Sequence, residues 1–386
     1  MYRLFFKLVL QHIDSERAHA LAKRSLRIVR ATRVGRTVLR WLVGRTDTCL
    51  EIRALGLTFP SPIGVGAGVD KDADWFEDLA ALGFGFVEVG TITALPQEGN
   101  PRPRISRLVK DRAILNKMGC PNPGAEIAAE RLSSRSAPTI LGVNIGKSKD
   151  AALEAAGGDY RASVRKLAPY SDYLVLNVSS PNTPGLRELE DVGRLRPLVA
   201  DVRRELDAIS CNPPLFIKID PDLEADQLAA IVVLAVELDL DGIVAVNTTV
   251  DRASLTDPGA LTTAIEGGGI SGAPLRATAV EVLRRIRQTA GDRLVLISVG
   301  GVGSAEDVWE RILAGATLVQ AHTAFIYEGP GWPKRVNRDL AIKVRDAGFS
   351  SIQELIGADE RNHGNGRDRP NGDRAELDAI GASQFG

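Results

Sequence analysis

Between about residues 50 and 350, short apolar runs alternate with helical stretches eight times over. The runs are Ile63–Ala67, Phe86–Gly90, Ile140–Ile145, Tyr173–Val178, Leu215–Ile219, Gly242–Asn247, Leu294–Val299 and Leu318–Ala321. Helical patterns follow them, among them Asp74–Leu82, Gly124–Leu132, Asp226–Leu238, Leu275–Gln288, Ala305–Ala314 and Pro333–Asp346. Strands separated by helices pair in parallel, and strands that are apolar throughout are covered on both faces. Eight such units in roughly 300 residues predict an α/β fold, a (β/α)8 TIM barrel with its chemistry at the C-terminal ends of the strands. A doubly wound sheet is the alternative, but no GxGxxG follows the first strand in the required context. Thr58 to Pro62 and Arg102 to Leu108 read as small β additions around the barrel.

Composition narrows the function. Hydrophobic residues make up 44% of the 386 and charged residues 25%, as in a soluble globular protein with a full core. A net charge of −1 gives no argument for nucleic acid. Cys49, Cys120 and Cys211 are too far apart for a zinc spacing, so no metal is expected, and three scattered cysteines fit a reducing compartment. Of four histidines, only His322 falls in the body of the barrel. A Ser-His pair would depend on it alone, which pushes the chemistry toward another base or a bound cofactor. No apolar run is long enough to span a bilayer, and the N-terminus lacks the pattern of a secretory signal.

The ends of the chain differ from its middle. Residues 1–45 hold eleven Lys/Arg against two acids, Asp14 and Glu16. Leu4, Phe5, Leu8, Val9 and Ile13 recur at helical spacing, a second helix is expected from about Ser15 through Val29, and Val38, Leu39, Trp41 and Leu42 form another apolar cluster. Basic amphipathic helices of this kind lie in a membrane interface. The competing reading is a helical hairpin packed on the main domain, its arginines merely solvated. Residues 46–356 form the barrel, and after Gly357 the composition collapses to Gly, Asn, Asp and Arg, so 357–386 are expected to be a disordered tail.

Polar and small residues gather where the strands would end. The first is followed by Gly66-Ala67-Gly68-Val69-Asp70-Lys71, where small residues let a flat ring or a phosphate approach the backbone and Lys71 adds a charge. Gly90-Thr91 follows the second and Asn144-Ile145-Gly146-Lys147 ends the third. The fourth runs into Asn177-Val178-Ser179-Ser180-Pro181-Asn182-Thr183-Pro184-Gly185, in which asparagines suit a planar amide or carboxylate and a positioned Ser can act as acid, base or nucleophile. Lys218 interrupts the apolar fifth strand, and burying an ammonium is costly unless it is paired. A flavin that becomes anionic on reduction would supply the partner. Asn247-Thr248-Thr249 ends the sixth strand, Gly300-Gly301 the seventh and His322-Thr323 the eighth, the last two forming the usual phosphate site of such barrels. Gly269-Ile270-Ser271-Gly272 lies on the same face, and the loop Asn116-Lys117-Met118-Gly119-Cys120 could close over a planar anion.

In combination these motifs closely resemble the flavin-dependent dihydroorotate dehydrogenases, in particular the membrane-associated, quinone-reducing class 2, from about Leu4 to Tyr327. The resemblance implies FMN held by Ala67, Gly68, Val69, Asp70, Lys71, Thr91, Asn144, Asn177, Lys218, Gly272, Gly301 and Thr323, with Val246 and His322 at neighbouring contact positions. It implies dihydroorotate or orotate bound by Lys71, Asn116, Lys117, Met118, Gly119, Cys120, Asn177, Asn182, Asn247 and Thr248. Ser180 stands at the position of the catalytic base, where soluble class 1 members carry Cys, and Thr183 is a candidate relay member. Cys120 replaces a usual Phe, Val246 a common Thr and His322 a common Tyr.

The implied reaction is oxidation of (S)-dihydroorotate to orotate, a step of pyrimidine biosynthesis. Ser180 removes the C5 proton, Lys218 stabilises reduced FMN, and a quinone entering between the N-terminal helices is the final acceptor. The implied setting is peripheral, as a monomer on the cytoplasmic face of the cell membrane, without nucleic acid. Two competitors stay open: a barrel isomerase binding a sugar phosphate, and a non-catalytic membrane-peripheral binding protein.

Overall fold

The computed structural model describes residues 2–43, 46–257 and 265–359, apart from the side chains at 36, 38 and 40–42. Most of the apolar cluster expected at Val38, Trp41 and Leu42 therefore lies outside the described residues, as does the tail from 360 to 386.

Three helices come first: α1 (Tyr2–Leu8), α2 (Ser15–Ala31) and α3 (Arg33–Val43). Asp14 starts α2 by accepting from the Arg17 amide at 3.0 Å, which satisfies one of the free donors of the first turn. The strands are β1 (Ile52–Ala54), β2 (Leu57–Phe59), β3 (Ile63–Val65), β4 (Phe86–Ile92), β5 (Ile105–Leu108), β6 (Ala113–Asn116), β7 (Leu141–Gly146), β8 (Tyr173–Asn177), β9 (Leu215–Ile219), β10 (Gly242–Ala245), β11 (Gly269–Gly272), β12 (Val295–Val299) and β13 (Leu318–Ala321). Strands β3, β4, β7, β8, β9, β10, β12 and β13 close in that order into a parallel barrel with helices between them, as the sequence predicts.

The smaller sheets explain where the sequence signal was weak. β1 and β2 pair across Leu55 and Gly56, both at positive φ, a two-residue turn whose twist suits a hairpin. β5, β6 and β11 form a separate antiparallel sheet, so Asn116 closes a strand instead of opening a loop. Four-residue strands with glycine at both ends, such as β11, carry no readable alternation.

The inside of the barrel is layered. At the bottom, Phe86, Tyr173 and Phe216 pack edge-on with centroids 6.4 and 5.6 Å apart. Glycines on adjoining strands make room for them: a Cβ on Gly64, Gly142 or Gly242 would fall 2.4, 2.1 or 2.3 Å from one of these rings. Two residues further along β4, β7 and β9, inward positions carry Glu88, Asn144 and Lys218, and β13 adds Gln320, all buried. The apolar plug shuts one end, and the polar layer above it forms the floor of the open end.

The basic face of α2 is turned inward. Lys23 pairs with Asp72 at 3.2 Å and with Asp74, Arg27 pairs with Asp74 at 3.1 Å, and Arg30 reaches Glu77 and Asp78 at 3.0 and 2.8 Å. The hairpin does pack on the barrel, but these cations are paired and not merely solvated. What α1, α2 and α3 expose includes apolar side chains, with Leu8 65%, Ile28 68% and Val34 74% accessible. Among the described residues no helix is long and apolar enough to cross a membrane.

Candidate active site

A cavity of about 960 Å³ opens at the C-terminal ends of the barrel strands and continues between the barrel and helices α1 and α2. All the site residues expected from the sequence line it except Asp70, Lys117, Asn144 and Thr183. Asp70 accepts from the Asp74 and Trp75 amides, both at 3.1 Å, and so caps the turn behind the cavity wall. Lys117 is exposed. Asn144 belongs to the buried polar floor, its side chain engaged by Thr91 and Glu88. Thr183 is buried, its hydroxyl directed at the Cys120 sulfur at 4.0 Å.

A directed chain of hydrogen bonds descends from the cavity into the barrel. Asn177 Nδ2 donates to Thr91 Oγ1 at 2.8 Å, Thr91 Oγ1 to Asn144 Oδ1 at 2.7 Å, and Asn144 Nδ2 to Glu88 Oε1 at 2.9 Å. Asn247 Nδ2 donates to Asn177 Oδ1 at 3.3 Å and to Ser179 Oγ at 2.9 Å, fixing two strand ends against each other. Every donor here has an acceptor, so the wall is held in one arrangement.

The cavity holds unspent hydrogen-bonding groups. Asn182 Nδ2 donates to Asn116 Oδ1 at 3.1 Å, which leaves Asn182 Oδ1 buried and unpaired. Such an acceptor is costly unless a ligand N–H meets it. Among the described residues Lys71 forms no ion pair, and its ammonium contacts the Gly68 carbonyl. Burial pushes its pKa below the usual lysine range, so an anionic ligand would restore the charged form. Ser180 Oγ accepts from the Asn182 amide at 3.3 Å, and the Cys120 thiol sits among the Thr183, Thr91 and Ser180 hydroxyls, its own pKa raised by burial.

No ionised imidazole is at hand among the described residues of the cavity. Burial, reinforced by Lys71, His19 and Lys218, lowers His322 to about 3, and burial with Lys71 and Lys23 lowers His19 to about 3. His19, on α2, lies edge-on to Trp75 with centroids 5.2 Å apart, where the cavity passes toward the helices. At the far end Gly300 and Gly301 have φ of 107° and 74°, a backbone course that favours glycine, and Ser271 and Thr323 share a 2.8 Å hydroxyl contact.

Sequence reasoning missed three groups. Glu88 is the carboxylate facing Lys218, at 3.9 Å. An acid inside the run Phe86-Val87-Glu88-Val89 was as conspicuous as Lys218 itself and could have been found by the same reasoning. Arg187 ties the Ser179 carbonyl, the Thr248 carbonyl and the Asp220 and Asp222 carboxylates together. Glu16 and Arg104 line the helix side of the cavity.

A closed parallel barrel with a cation-bearing, asparagine-rich cavity at its C-terminal mouth defines a (β/α)8-barrel enzyme. The family model described as dihydroorotate dehydrogenase matches residues 49–344. The dihydroorotate dehydrogenase (quinone) of Thermobifida fusca is 50% identical over 365 residues, covering 93% of this chain and 97% of the relative. That of Mycobacterium tuberculosis H37Rv is 49% identical over 361 residues, covering 94% and 99%. The solved structure of the Eimeria tenella enzyme in complex with ferulenol superposes with a TM-score of 0.78 at 36% identity, over 86% of this chain and 96% of that one. This chain belongs to the dihydroorotate dehydrogenase family, in its quinone-dependent class.

Proposed function

We propose that this chain oxidises (S)-dihydroorotate to orotate with FMN as hydride acceptor and a membrane quinone as final acceptor, a step of de novo pyrimidine biosynthesis. The observation that carries this reading is the continuity of the cavity. It joins the pocket around Lys71, Asn182 and Ser180 to Lys218 and Gly300-Gly301, and then runs out between the barrel and α1–α2. Its volume of about 960 Å³ is at the top of the range for one small-molecule site, roughly 300–1,000 Å³, which suits a cofactor and a substrate side by side.

The residues present fit FMN. A cation stands at the floor in Lys218, the glycine backbone at Gly300-Gly301 offers close approach, and Thr91, Asn177 and Thr323 provide polar groups along the wall. Ala67 to Val69, Lys71, Gly272 and Gly301 would hold it as well, with Asp70 bracing the turn behind them and Val246 and His322 contributing backbone. When bound, FMN supplies the hydride acceptor.

The chain's own residues supply the rest. Lys71 pairs with the substrate carboxylate, and the unpaired Asn182 Oδ1 accepts a ring N–H. Asn116, Asn177, Asn247 and Thr248 orient the ring, and Met118, Gly119 and Cys120 cover it. Ser180 Oγ takes the proton from C5 and passes it on through a water and the Thr183 hydroxyl, since an unassisted serine is a poor base near neutral pH. Residues 1–45 guide the quinone and hold the protein, a monomer, peripherally at the cytoplasmic face of the membrane.

Anaerobic mixing of purified protein with dihydroorotate tests the reading. Bleaching of the flavin band, with recovery on adding a quinone, is expected. A yellow protein that does not bleach would discard the substrate, and a colourless one that cannot be reconstituted with FMN would favour the sugar-phosphate isomerase or the binding protein.

A further inference from the structure

Lys218 sits deep in the barrel, where an isolated ammonium is hard to keep, and Glu88 is the group that answers it. Glu88 is fully buried on β4, and its Oε1 lies 3.9 Å from Lys218 Nζ. Everything else around the carboxylate donates to it. Asn144 Nδ2 reaches Oε1 at 2.9 Å, Gln320 Nε2 reaches Oε2 at 2.6 Å, and the Tyr173 hydroxyl reaches Oε2 at 3.4 Å. Two amide nitrogens, a tyrosine hydroxyl and the Lys218 ammonium thus converge on this one carboxylate. Burial alone pushes the Lys218 ammonium down, and Glu88 is the charge that opposes this.

We infer that Glu88 is the built-in counter-ion of Lys218, a positioning residue that keeps the lysine protonated while the flavin is still oxidised. The inference rests on the FMN reading above and adds a redox consequence to it. With Glu88 in place, two-electron reduction to the anionic flavin consumes one proton, which goes to the flavin, because the ammonium is already charged. Without Glu88, Lys218 is neutral beforehand and must take up a second proton as the anion forms beside it. The same carboxylate, 3.9 Å from Lys218, would oppose the build-up of negative charge on a flavin bound there. It therefore favours handing electrons on to the quinone over retaining them.

Glu88→Gln is a mild change here. The Gln320 Oε1 atom is buried without a partner, so a flipped Gln320 amide can accept from the side-chain nitrogen that the substitution introduces.

The test is the pH dependence of the flavin midpoint potential between about pH 6 and 9, with absorbance confirming an anionic reduced flavin throughout. The wild-type protein, measured first, depends on no variant folding. It is expected to show one proton per two electrons across the range, and two protons would overturn the inference. Glu88→Gln is expected to bind FMN normally, to have a higher midpoint potential, and to shift toward two protons per two electrons in the upper half of the range. Glu88→Asp, which keeps the charge, is expected to behave as the wild type does. A Glu88→Gln protein with the wild-type proton count would also overturn the inference. Failure of the FMN reading looks different: no flavin is bound and no potential can be measured.

Discussion

The Arg104 guanidinium grips the Glu16 carboxylate through Nε and Nη2, at 2.9 and 2.7 Å, and so fastens α2 to the loop that leads into the outer sheet. Arg104 is nearly buried and also donates to the Glu98 and Asn100 carbonyls, so it is held whether or not Glu16 is present. The helix depends on the pair more than the barrel does.

Replacing Glu16 by alanine should therefore loosen α2 without touching the substrate pocket. A charge-assisted pair of this burial contributes about 1–2 kcal/mol. The expected result is a roughly ten-fold higher KM for a short-chain quinone, in line with that loss. The single-turnover rate of flavin reduction by dihydroorotate should not change. Slowing of both half-reactions would show that α2 also shapes the substrate side.

Much of this architecture was legible in the sequence because one signal repeated: eight apolar runs, each ending in small or polar residues, set the barrel and its open face. The predicted ends drifted where chain leaves the ladder to line the cavity, as at Ala67 and at Val246 and Asn247. Asn144 and Asp70 read as ligand-facing by position, yet both turn to the protein, because a buried strand or a tight turn needs its own polar contacts first. Arg187 was invisible: an arginine in a charged loop has no periodicity to mark it. The paired face of α2 could not be told from a solvated one because the acids that meet it lie about fifty residues away.

Arg187 binds the Ser179 carbonyl at 3.4 Å and the Thr248 carbonyl at 3.1 Å, while its charge faces Asp220 at 2.5 Å and Asp222 at 3.3 Å. It thus fixes the two loops that carry Ser180 and Asn247. Arg187→Ala should lower kcat by about 10–100-fold through misplacement of these loops. The unmatched, nearly buried Asp220 should cost about 2 kcal/mol of stability as well, discounted because Arg187 is partly exposed. Steady-state kinetics alongside urea unfolding would check both, and unchanged kcat with lowered stability would confine Arg187 to a structural role.

Glu190 adds a pH dependence at the same junction. Burial, then the neighbouring Asp220 charge, raises its pKa to about 8, and its Oε1 accepts from the Asp220 amide at 2.9 Å. From the unfolded value near 4.3 up to about 8, the folded protein holds a proton that the unfolded chain releases. Stability from this group is thus full at the acid end and is lost as pH rises through about 8. Urea unfolding at about pH 5.5 and 8.5 should show the wild type losing on the order of 2 kcal/mol more than Glu190→Gln, which keeps the amide contact. Equal losses in the two proteins would mean that Glu190 is ionised in the fold.

Ser180 is the sharpest test of the chemistry. Among the described residues its hydroxyl oxygen accepts from the Asn182 amide at 3.3 Å and lies beside the Cys120 thiol, so removing it disturbs little else. Both histidines that line the cavity are neutral at physiological pH, and the nearby thiol of Cys120 is held protonated by burial, so no neighbour replaces a lost base. Ser180→Ala should retain FMN, keep its thermal stability and slow flavin reduction by dihydroorotate about 10²–10⁴-fold. Thr183→Ala, whose hydroxyl faces Cys120, should slow it less. Rapid-mixing absorbance on the two variants decides the order of the relay. Near-normal reduction by Ser180→Ala would move the base elsewhere, and a larger defect in Thr183→Ala would place Thr183 ahead of Ser180 in proton transfer.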